Sequence, residues 1–322
     1  MKEHAIKLSI LNTLCDGHFH SGEGLGEQLG ISRAAVSKHV KGIQSWGVDV
    51  FSVQGKGYKL AEPMQLLNQE LLQSLVTAPL ELIPVIDSTN QHLLDRINVL
   101  ESGSVCLAEY QSKGRGRRGR EWVSPFGCNL YLSMYWRLEA GMAGAMGLSL
   151  VVGVAIVEAL EKLGIAGIKL KWPNDLYHHD KKLAGILVEM SGQAGSAAHL
   201  VIGMGMNLAM PSNTQGITQP WACLSDVAEQ TVDRNQLAAT LINTLQDALT
   251  DYEMTGMQGF VERWNRVDNY LGREIRLIMG NREVVGVSRG INEQGAVLIE
   301  TSNGLETYIG GEISLRGMQS HF

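Results

Sequence analysis

Cysteine is scarce in this chain. Four residues in 322, at positions 15, 106, 128 and 223, show no metal or redox spacing. They read as buried or free thiols in a reducing compartment, which makes the cytoplasm the expected location. No Walker loop, metal-ligand cluster or catalytic triad is visible, so metal, nucleophilic and P-loop chemistry have no motif to stand on. The N-terminal IKLSILNTL is short and continues into polar sequence, unlike a secretory signal. Long apolar runs are also missing, with one case to weigh. Residues 140–157 carry no charge, but Ser149 and the glycines at 141, 144, 147 and 153 dilute them, and EALEKLG follows as a helix end. The run predicts a buried core helix near 146–163, not a membrane span. Nor is there an excess of positive charge: the net charge of −6 excludes wholesale coating of nucleic acid.

The charge is uneven. Residues 1–60 hold seven Lys/Arg against five Asp/Glu, a balance of +2, which leaves −8 for the rest. A basic module on an acidic body fits a small DNA-binding head. Within it, residues 5–14 put Ile6, Ile10, Leu11 and Leu14 on one helical face. Ser21 can cap a short helix ending at Gly30, and Ser32 can cap RAAVSKHVKGIQSW. The pair predicts a helix-turn-helix at about 22–41, with Val36, Val40 and Ile43 packed inward and Ser32, Arg33, Ser37, Lys38 and Lys41 facing DNA. VDVFSVQGKGYKL, alternating around Gln54–Gly57, predicts a hairpin wing. A three-helix scaffold for protein contacts is the plainer alternative; the wing and the local basic balance favour DNA.

The most informative stretch is 111–127, QSKGRGRRGREWVSPFG. Five cations, at 113, 115, 117, 118 and 120, are separated by Gly114, Gly116 and Gly119. Glycines allow positive φ and let backbone N–H groups converge, and arginine forks suit carboxylate and phosphate oxygens. Gly114-x-Gly116-x-x-Gly119 also spells the dinucleotide fingerprint, but no helix follows it, so that reading fails. A disordered RNA-binding tail would not lie between apolar runs such as SVCLAEY and NLYLSMYW. A merely solvated charged face would not need the glycines. An anion-holding loop within a packed sheet is the reading that remains.

Elsewhere Ala61-Glu62-Pro63 marks a boundary, and Asn68–Val76 reads as a linking helix. The strand ELIPVI runs into Asp87-Ser88-Thr89-Asn90; one cap suffices for a helix, so some of these four side chains are free for a polar ligand. Strands are expected at 103–110 and 128–136, then in IKLKWPND, where Lys171 and Asp175 bracket a turn, and in KKLAGILVE, with Lys182 at its entry. HLVIGMGMNL adds another, its spaced glycines admitting close backbone approach. Met210–Trp221 reads as a polar lid. Helices follow at 233–252 and 260–270, and the last fifty residues alternate as a small β-barrel. Many strands with few helices between them predict an α+β fold: a mixed or antiparallel sheet with helices on one face. An arginine-glycine loop, strand-end lysines and a lid suit a site holding a carboxylate beside a nucleotide phosphate, and hence formation of an acyl-adenylate.

DSTN, GRGRRGREWVSPFGCNLYLS, KWPNDL, KKLAGILVE and GMGMN stand in that order behind a winged helix-turn-helix and before the C-terminal strands. Together they resemble the bacterial bifunctional biotin–protein ligases that also repress the biotin operon, over essentially the whole chain. The resemblance implies a winged head over 1–62, a class II synthetase-like ligase domain with a central mixed sheet over 63–270, and an SH3-like barrel over 271–322. It implies Mg2+-ATP and biotin as substrates, biotinyl-5′-AMP as intermediate and corepressor, and transfer to a lysine of the biotin carboxyl carrier protein of acetyl-CoA carboxylase. The adenylate-bound homodimer would bind the biotin operator, and no membrane is involved. By position, Ser88, Thr89, Asn90 and Gln111 would meet biotin's ring. Gly114, Arg115, Gly116 and Arg117 would fold over its carboxylate and the phosphate. Lys182 would act with Arg115 and Arg117 in catalysis. Lys171, Asn174, Asp175 and Asn207 would line the adenylate, and Trp221 would stack on adenine. No residue is assigned to the metal. The chain departs from the family's pattern at Cys128, where a small residue such as alanine is usual and a thiol would crowd the site, and at 211–220. Lipoate–protein ligases share the sheet and the lysine, but have an arginine-poor loop and no winged head.

Overall fold

The computed structural model describes residues 4–193, 196–211, 214–280, 282–309 and 313–317, the last five by backbone alone. Residues 212–213 of the expected lid, 310–312 of the last strand run and 318–322 lie outside the described residues.

The chain opens with helices α1 (Ala5–Leu14), α2 (Gly22–Leu29) and α3 (Arg33–Gln44), then a hairpin of β1 (Val50–Val53) and β2 (Gly57–Leu60). Local chemistry sets these boundaries. Ser21 Oγ accepts from Gly24 N at 2.9 Å, Ser32 Oγ accepts from Ala35 N at 3.2 Å, and Gly30 closes α2 in the left-handed region. At Gly57, φ is +100° and a Cβ would fall 2.0 Å from the His20 carbonyl oxygen, so only glycine fits the wing there. The head's core of Ile10, Leu11, Leu14, Val36, Val40 and Ile43 includes Phe126 from far along the chain. Trp46 stacks on Phe126 at 5.5 Å and leans on Tyr110 at 5.9 Å, and Phe126 N donates to Trp46 O.

The body follows with α4 (Gln69–Leu75), β3 (Leu80–Leu82), β4 (Val85–Ile86), α5 (Thr89–Leu94), β5 (Val105–Ala108), β6 (Tyr110–Gln111) and β7 (Asn129–Leu138). Next come α6 (Gly141–Gly144), α7 (Leu148–Lys162), β8 (Lys169–Lys171), β9 (Asp175–His178), β10 (Lys181–Ser191), β11 (Ala198–Asn207), α8 (Arg234–Thr255) and α9 (Val261–Val267). A seven-stranded mixed sheet runs β3-β5-β7-β11-β10-β9-β8, with β3 and β5 parallel and the other pairings antiparallel. Alternation sorts its faces. Leu107, Met134, Trp136, Leu200 and Ile202 belong to the main core with α7 and α8, whereas Cys106, Tyr135 and Val201 meet Leu93 of α5 on the opposite face. Helices therefore cover both faces, not one as the sequence suggested, because the short α5 is long enough to cap one end of the second face. The expected core helix is α7, and among the described residues no helix is long and apolar enough to cross a membrane. The four cysteines are free; burial pushes the Cys106 thiol up to about 12 and those of Cys15, Cys128 and Cys223 to about 11.

One buried ion pair ties the linker to the body. Arg234 Nη2 donates to Glu109 Oε2 at 2.7 Å and to Asn129 O at 2.8 Å, while Leu67 N donates to Glu109 Oε1 at 2.6 Å. These extra bonds offset the desolvation that makes isolated buried charges costly.

The chain ends in β12 (Glu274–Met279), β13 (Arg282–Ile291), β14 (Val297–Thr301), β15 (Gly304–Tyr308) and β16 (Ile313–Gly317), an antiparallel sheet ordered β15-β14-β13-β12-β16. The segment before it anchors on the body. Asn269 N donates to Leu170 O, and Asp180, at the β9–β10 turn, accepts from Arg273 and Asn269. In that segment Asp268 is half-buried, and desolvation raises its carboxyl from 3.8 to about 6. The folded protein thus holds a proton between those values that the unfolded chain has released. Stability from this group falls as pH rises through that window, and the cost is complete above it. Asp268→Asn keeps an acceptor for the Tyr270 N–H and removes the charge. It should raise unfolding free energy by about 2 kcal/mol at pH 7.5, a gain that disappears below pH 4 in denaturant titrations.

Candidate functional site

The site is a cleft of about 200 Å³ on the α5 face of the sheet. Its floor follows from register. Cross-strand pairing sets Gly185 beside Gly205 and Tyr131, and Leu187 beside Gly203 and Ser133. Three glycines in adjoining rows let other side chains lie close against the backbone. A Cβ on Gly203 would sit 2.2 Å from Asn90 Oδ1, and one on Gly205 would sit 2.4 Å from the Trp122 indole. Glycine is required at both positions because these two side chains fill the space a Cβ would take.

One end of the cleft is polar and nearly uncharged. Ser88 caps α5, with Gln91 N donating to its Oγ at 3.3 Å. Thr89 N donates to Gln111 Oε1 at 2.9 Å, and Thr89 Oγ1 lies 3.1 Å from the same oxygen. Asn90 Nδ2 donates to Glu189 Oε2 at 2.8 Å. Asp87 points elsewhere: it takes Lys113 and Ser112 as donors, and the lysine holds its carboxyl below the ordinary range.

The other end is cationic. Lys182 Nζ lies 2.9 Å from Asp175 Oδ1, both side chains mostly buried, and sits 5.5 Å from the centre of the Trp122 ring. Arg117 Nη1 donates to Asn174 Oδ1 at 3.1 Å; burial pulls its guanidinium below the usual arginine range while nearby Asp175 opposes that. Arg115 reaches across the cleft to Gln91 Oε1 at 2.9 Å and to both oxygens of Glu189. Lys171 Nζ donates to the Tyr177 hydroxyl at 2.9 Å. Such an arrangement can seat a neutral, hydrogen-bonding ring at one end and neutralise two anions at the other.

Most residues expected from the sequence line this cleft: Ser88, Thr89, Asn90, Gln111, Arg115, Gly116, Arg117, Lys171, Asn174, Asp175 and Lys182. Gly114, Asn207 and Trp221 do not. Gly114 lies packed under the loop, where a Cβ would meet Ser124 Oγ at 2.6 Å. Asn207 is buried and donates to Lys182 O and Ala222 O, so it holds the backbone that carries the lysine. Trp221 forms a parallel bridge with Lys182 and is half-buried beside it. Cys128 does not crowd the cleft, because its thiol turns toward Phe126 O at 3.4 Å. Of the three glycines in the arginine loop only Gly119 has positive φ, and it shares that conformation with Arg118. The spaced glycines 203 and 205 were expected to admit close backbone approach, whereas Trp122, Gly185, Ser133 and Glu189 were missed. Trp122 alone carried a local signal, as an aromatic inside the arginine loop. In the head, Arg33, Lys38 and Lys41 are exposed on α3, Ser37 is half-buried, and the Ser32 hydroxyl is engaged as the cap.

Comparison with known proteins agrees with this geometry. The Biotin/lipoate A/B protein ligase family matches residues 82–207, the Biotin protein ligase C terminal domain matches 270–316, and an HTH domain matches 7–59. The Bifunctional ligase/repressor BirA of Salmonella typhimurium is 53% identical over 321 residues, which is 99% of this chain and 100% of that protein. The chain belongs to the bifunctional biotin ligase/repressor family. The family's Escherichia coli BirA is 52% identical over the same span, and the Biotin--[acetyl-CoA-carboxylase] ligase of Paracoccus denitrificans is 30% identical over 72% of this chain and 98% of its own. Among solved structures, biotin protein ligase from Aquifex aeolicus in complex with biotin and ATP superposes with a TM-score of 0.66 and 29% identity, over 74% of this chain and 99% of that one.

The glycine floor gives a direct test. Gly205→Ala should push the Trp122 indole off the sheet and increase its quenching by acrylamide. Ligand affinity should fall roughly tenfold or more, since overpacking here costs about 1–3 kcal/mol; titration calorimetry with biotin checks it.

Proposed function

We propose that this chain attaches biotin to protein in two steps and, while holding the intermediate, represses transcription. The observation that carries the reading is one cleft with an amide-and-hydroxyl end and a cationic end on the same face of the sheet. In the first step a biotin carboxylate oxygen attacks the α-phosphorus of ATP. A C–O–P linkage forms, the bond to the β-phosphate breaks, and diphosphate leaves. Ser88, Thr89, Asn90 and Gln111 hold the ring. Lys182, Arg115 and Arg117 neutralise the repulsion between carboxylate and phosphate and the charge gathered in the transition state. Asp175 and Asn174 keep Lys182 and Arg117 aimed at that point until the phosphates replace them. In the second step the amine of an acceptor lysine attacks the acyl carbon, AMP leaves, and the amide nitrogen gives up a proton.

ATP enters with Mg2+. Asp175 and Asn174 provide oxygen donors at the nucleotide end, and Mg2+ typically takes one or two protein oxygens with substrate phosphates supplying the rest. Bound there, the ion would shield phosphate charge. Among the described residues no cluster of three His, Cys, Asp or Glu side chains forms a dedicated metal cage. Asn207 acts through the Lys182 backbone, and Trp221, next to that lysine's strand, would meet adenine as 210–221 closes.

The acceptor is the biotin carboxyl carrier protein of acetyl-CoA carboxylase, in keeping with the names of relatives such as the Paracoccus denitrificans ligase. Arg33, Ser37, Lys38 and Lys41 on α3 would meet operator DNA, with Ser32 fixing the helix start. Homodimerisation would use the edge of β10: pairing with β9 stops at Gly185 and Ile186 bonds to Asn174, so 187–191 has a strand neighbour on one side alone.

Biotin-dependent exchange of diphosphate into ATP tests the enzyme reading. Lys182→Ala should lower it by roughly 10²–10³-fold, the usual cost of losing one transition-state donor, with an unchanged far-ultraviolet circular dichroism spectrum. Exchange at the wild-type rate would remove Lys182 from catalysis, and no exchange by the wild type would overturn the reading. For the head, Arg33→Ala with Lys38→Ala should weaken operator binding and flatten its salt dependence while exchange proceeds normally.

A further inference from the structure

The side chain of Asn90 is held on three sides, and two of its partners, Ser133 and Glu189, do not line the cleft. It is 6% exposed and lies flat on the sheet. Above Gly203 it fills the space a Cβ would take, 2.2 Å from its Oδ1. Its Nδ2 donates to Glu189 Oε2 at 2.8 Å and toward Leu187 O at 3.4 Å. Its Oδ1 lies 2.5 Å from Oγ of Ser133, a fully buried serine in the middle of β7.

Counting protons decides what this arrangement does. A carboxylate and a backbone carbonyl only accept, so the Asn90 amide must turn its NH2 toward Glu189 and Leu187 and its oxygen toward Ser133. Ser133 Oγ is also 2.7 Å from Thr89 Oγ1. A hydroxyl has one proton, and the amide oxygen cannot supply another, so that proton goes to Asn90. The Thr89 hydroxyl must then donate to Ser133 Oγ, which leaves the Thr89 backbone N–H as the donor to Gln111 Oε1 at 2.9 Å. The ring end thus has a fixed polarity before any ligand arrives. Asn90 offers the second lone pair of its oxygen and no free N–H.

We infer that Ser133 and Glu189 are positioning residues that lock Asn90 as an acceptor, and so select a ring that presents N–H donors. A cyclic urea has such donors; a dithiolane ring has none. Gly203 is the third part, because it alone lets the amide lie in that plane. Glu189 has a second partner: it also receives Arg115, so one carboxylate ties the ring end to the cationic loop. The inference rests on the biotin reading above, and wild-type diphosphate exchange establishes that reading before any variant is measured.

The test uses the full-length chain in the exchange assay and in calorimetric titration with biotin. Ser133→Ala leaves the Asn90 oxygen without its donor and frees the amide to turn over. The expected result is a rise of roughly tenfold or more in KM and Kd for biotin, the scale of a buried group left unsatisfied, with kcat and KM for ATP within about twofold. Equal changes in both KM values, or biotin binding within about twofold of wild type, would overturn it. Glu189 is nearer the surface and its variants avoid any folding defect at the strand centre. Glu189→Leu should raise KM for biotin to the same degree, and Glu189→Gln, whose carbonyl still accepts from Asn90, should recover most of that loss. If Gln and Leu behave alike, the charge on Arg115 is what matters and the amide lock is wrong.

Discussion

Cations gathered around one half-enclosed cleft repel one another and lose hydration, so they can be kept there only if something answers their charge. In this protein the answers come from within. Asp175 meets Lys182, Glu189 meets Arg115, and the amide oxygen of Asn174 meets Arg117. These partners stand where a carboxylate and phosphates would otherwise be needed. They keep the donors aimed, and substrate anions have only to exchange with them. Burial of Arg117 shows the cost being opposed: desolvation disfavours its charge, while Asp175 supports it.

The rest of the fold brings these partners to one place. The β7–β11–β10 register lines up Gly185, Gly203 and Gly205 so that Asn90, Trp122 and Lys182 can lie close against the backbone, and α5 lowers Thr89 and Asn90 onto the same face. Around Lys182 three segments converge: its own strand, the Pro220–Ala222 backbone that pairs with it, and Asn207 beneath. Two residues earlier, Asp180 fastens the β9–β10 turn to Arg273 at the entry to the last sheet. The lysine therefore takes its position from parts of the chain separated by nearly a hundred residues.

That separation explains what could be read beforehand. Ser88, Thr89, Asn90, the arginine loop and Lys171–Asp175 occur in short runs of unlike residues whose chemistry is visible locally. Helix starts at Ser21 and Ser32 and the stop at Gly30 were legible for the same reason. Ser133 and Glu189 look like any polar residues in apolar strands, and their meaning arises only when register sets them beside Asn90. Arg234 with Glu109, and Trp46 with Phe126, are pairings across the fold with no periodicity to betray them. Gly114 and Gly116 were assigned conformational freedom from composition, yet neither has positive φ; what matters at Gly114 is lack of room. The helix α5 itself was legible from its capping run, but its place on the second face was not, since that depends on how the sheet packs.

Trp46 stacked between Phe126 and Tyr110 bears on how such proteins can be rebuilt. Those two aromatics flank the arginine loop on its two sides, and Trp46 covers both. A winged helix borrowed from an unrelated regulator would arrive without the matching indole and leave two bare rings next to the ligand cleft. The head is consequently not a portable cassette. New operator specificity is better obtained by changing the exposed side of α3, which can drift freely, than by transplanting a module whose inner side is already part of the enzyme.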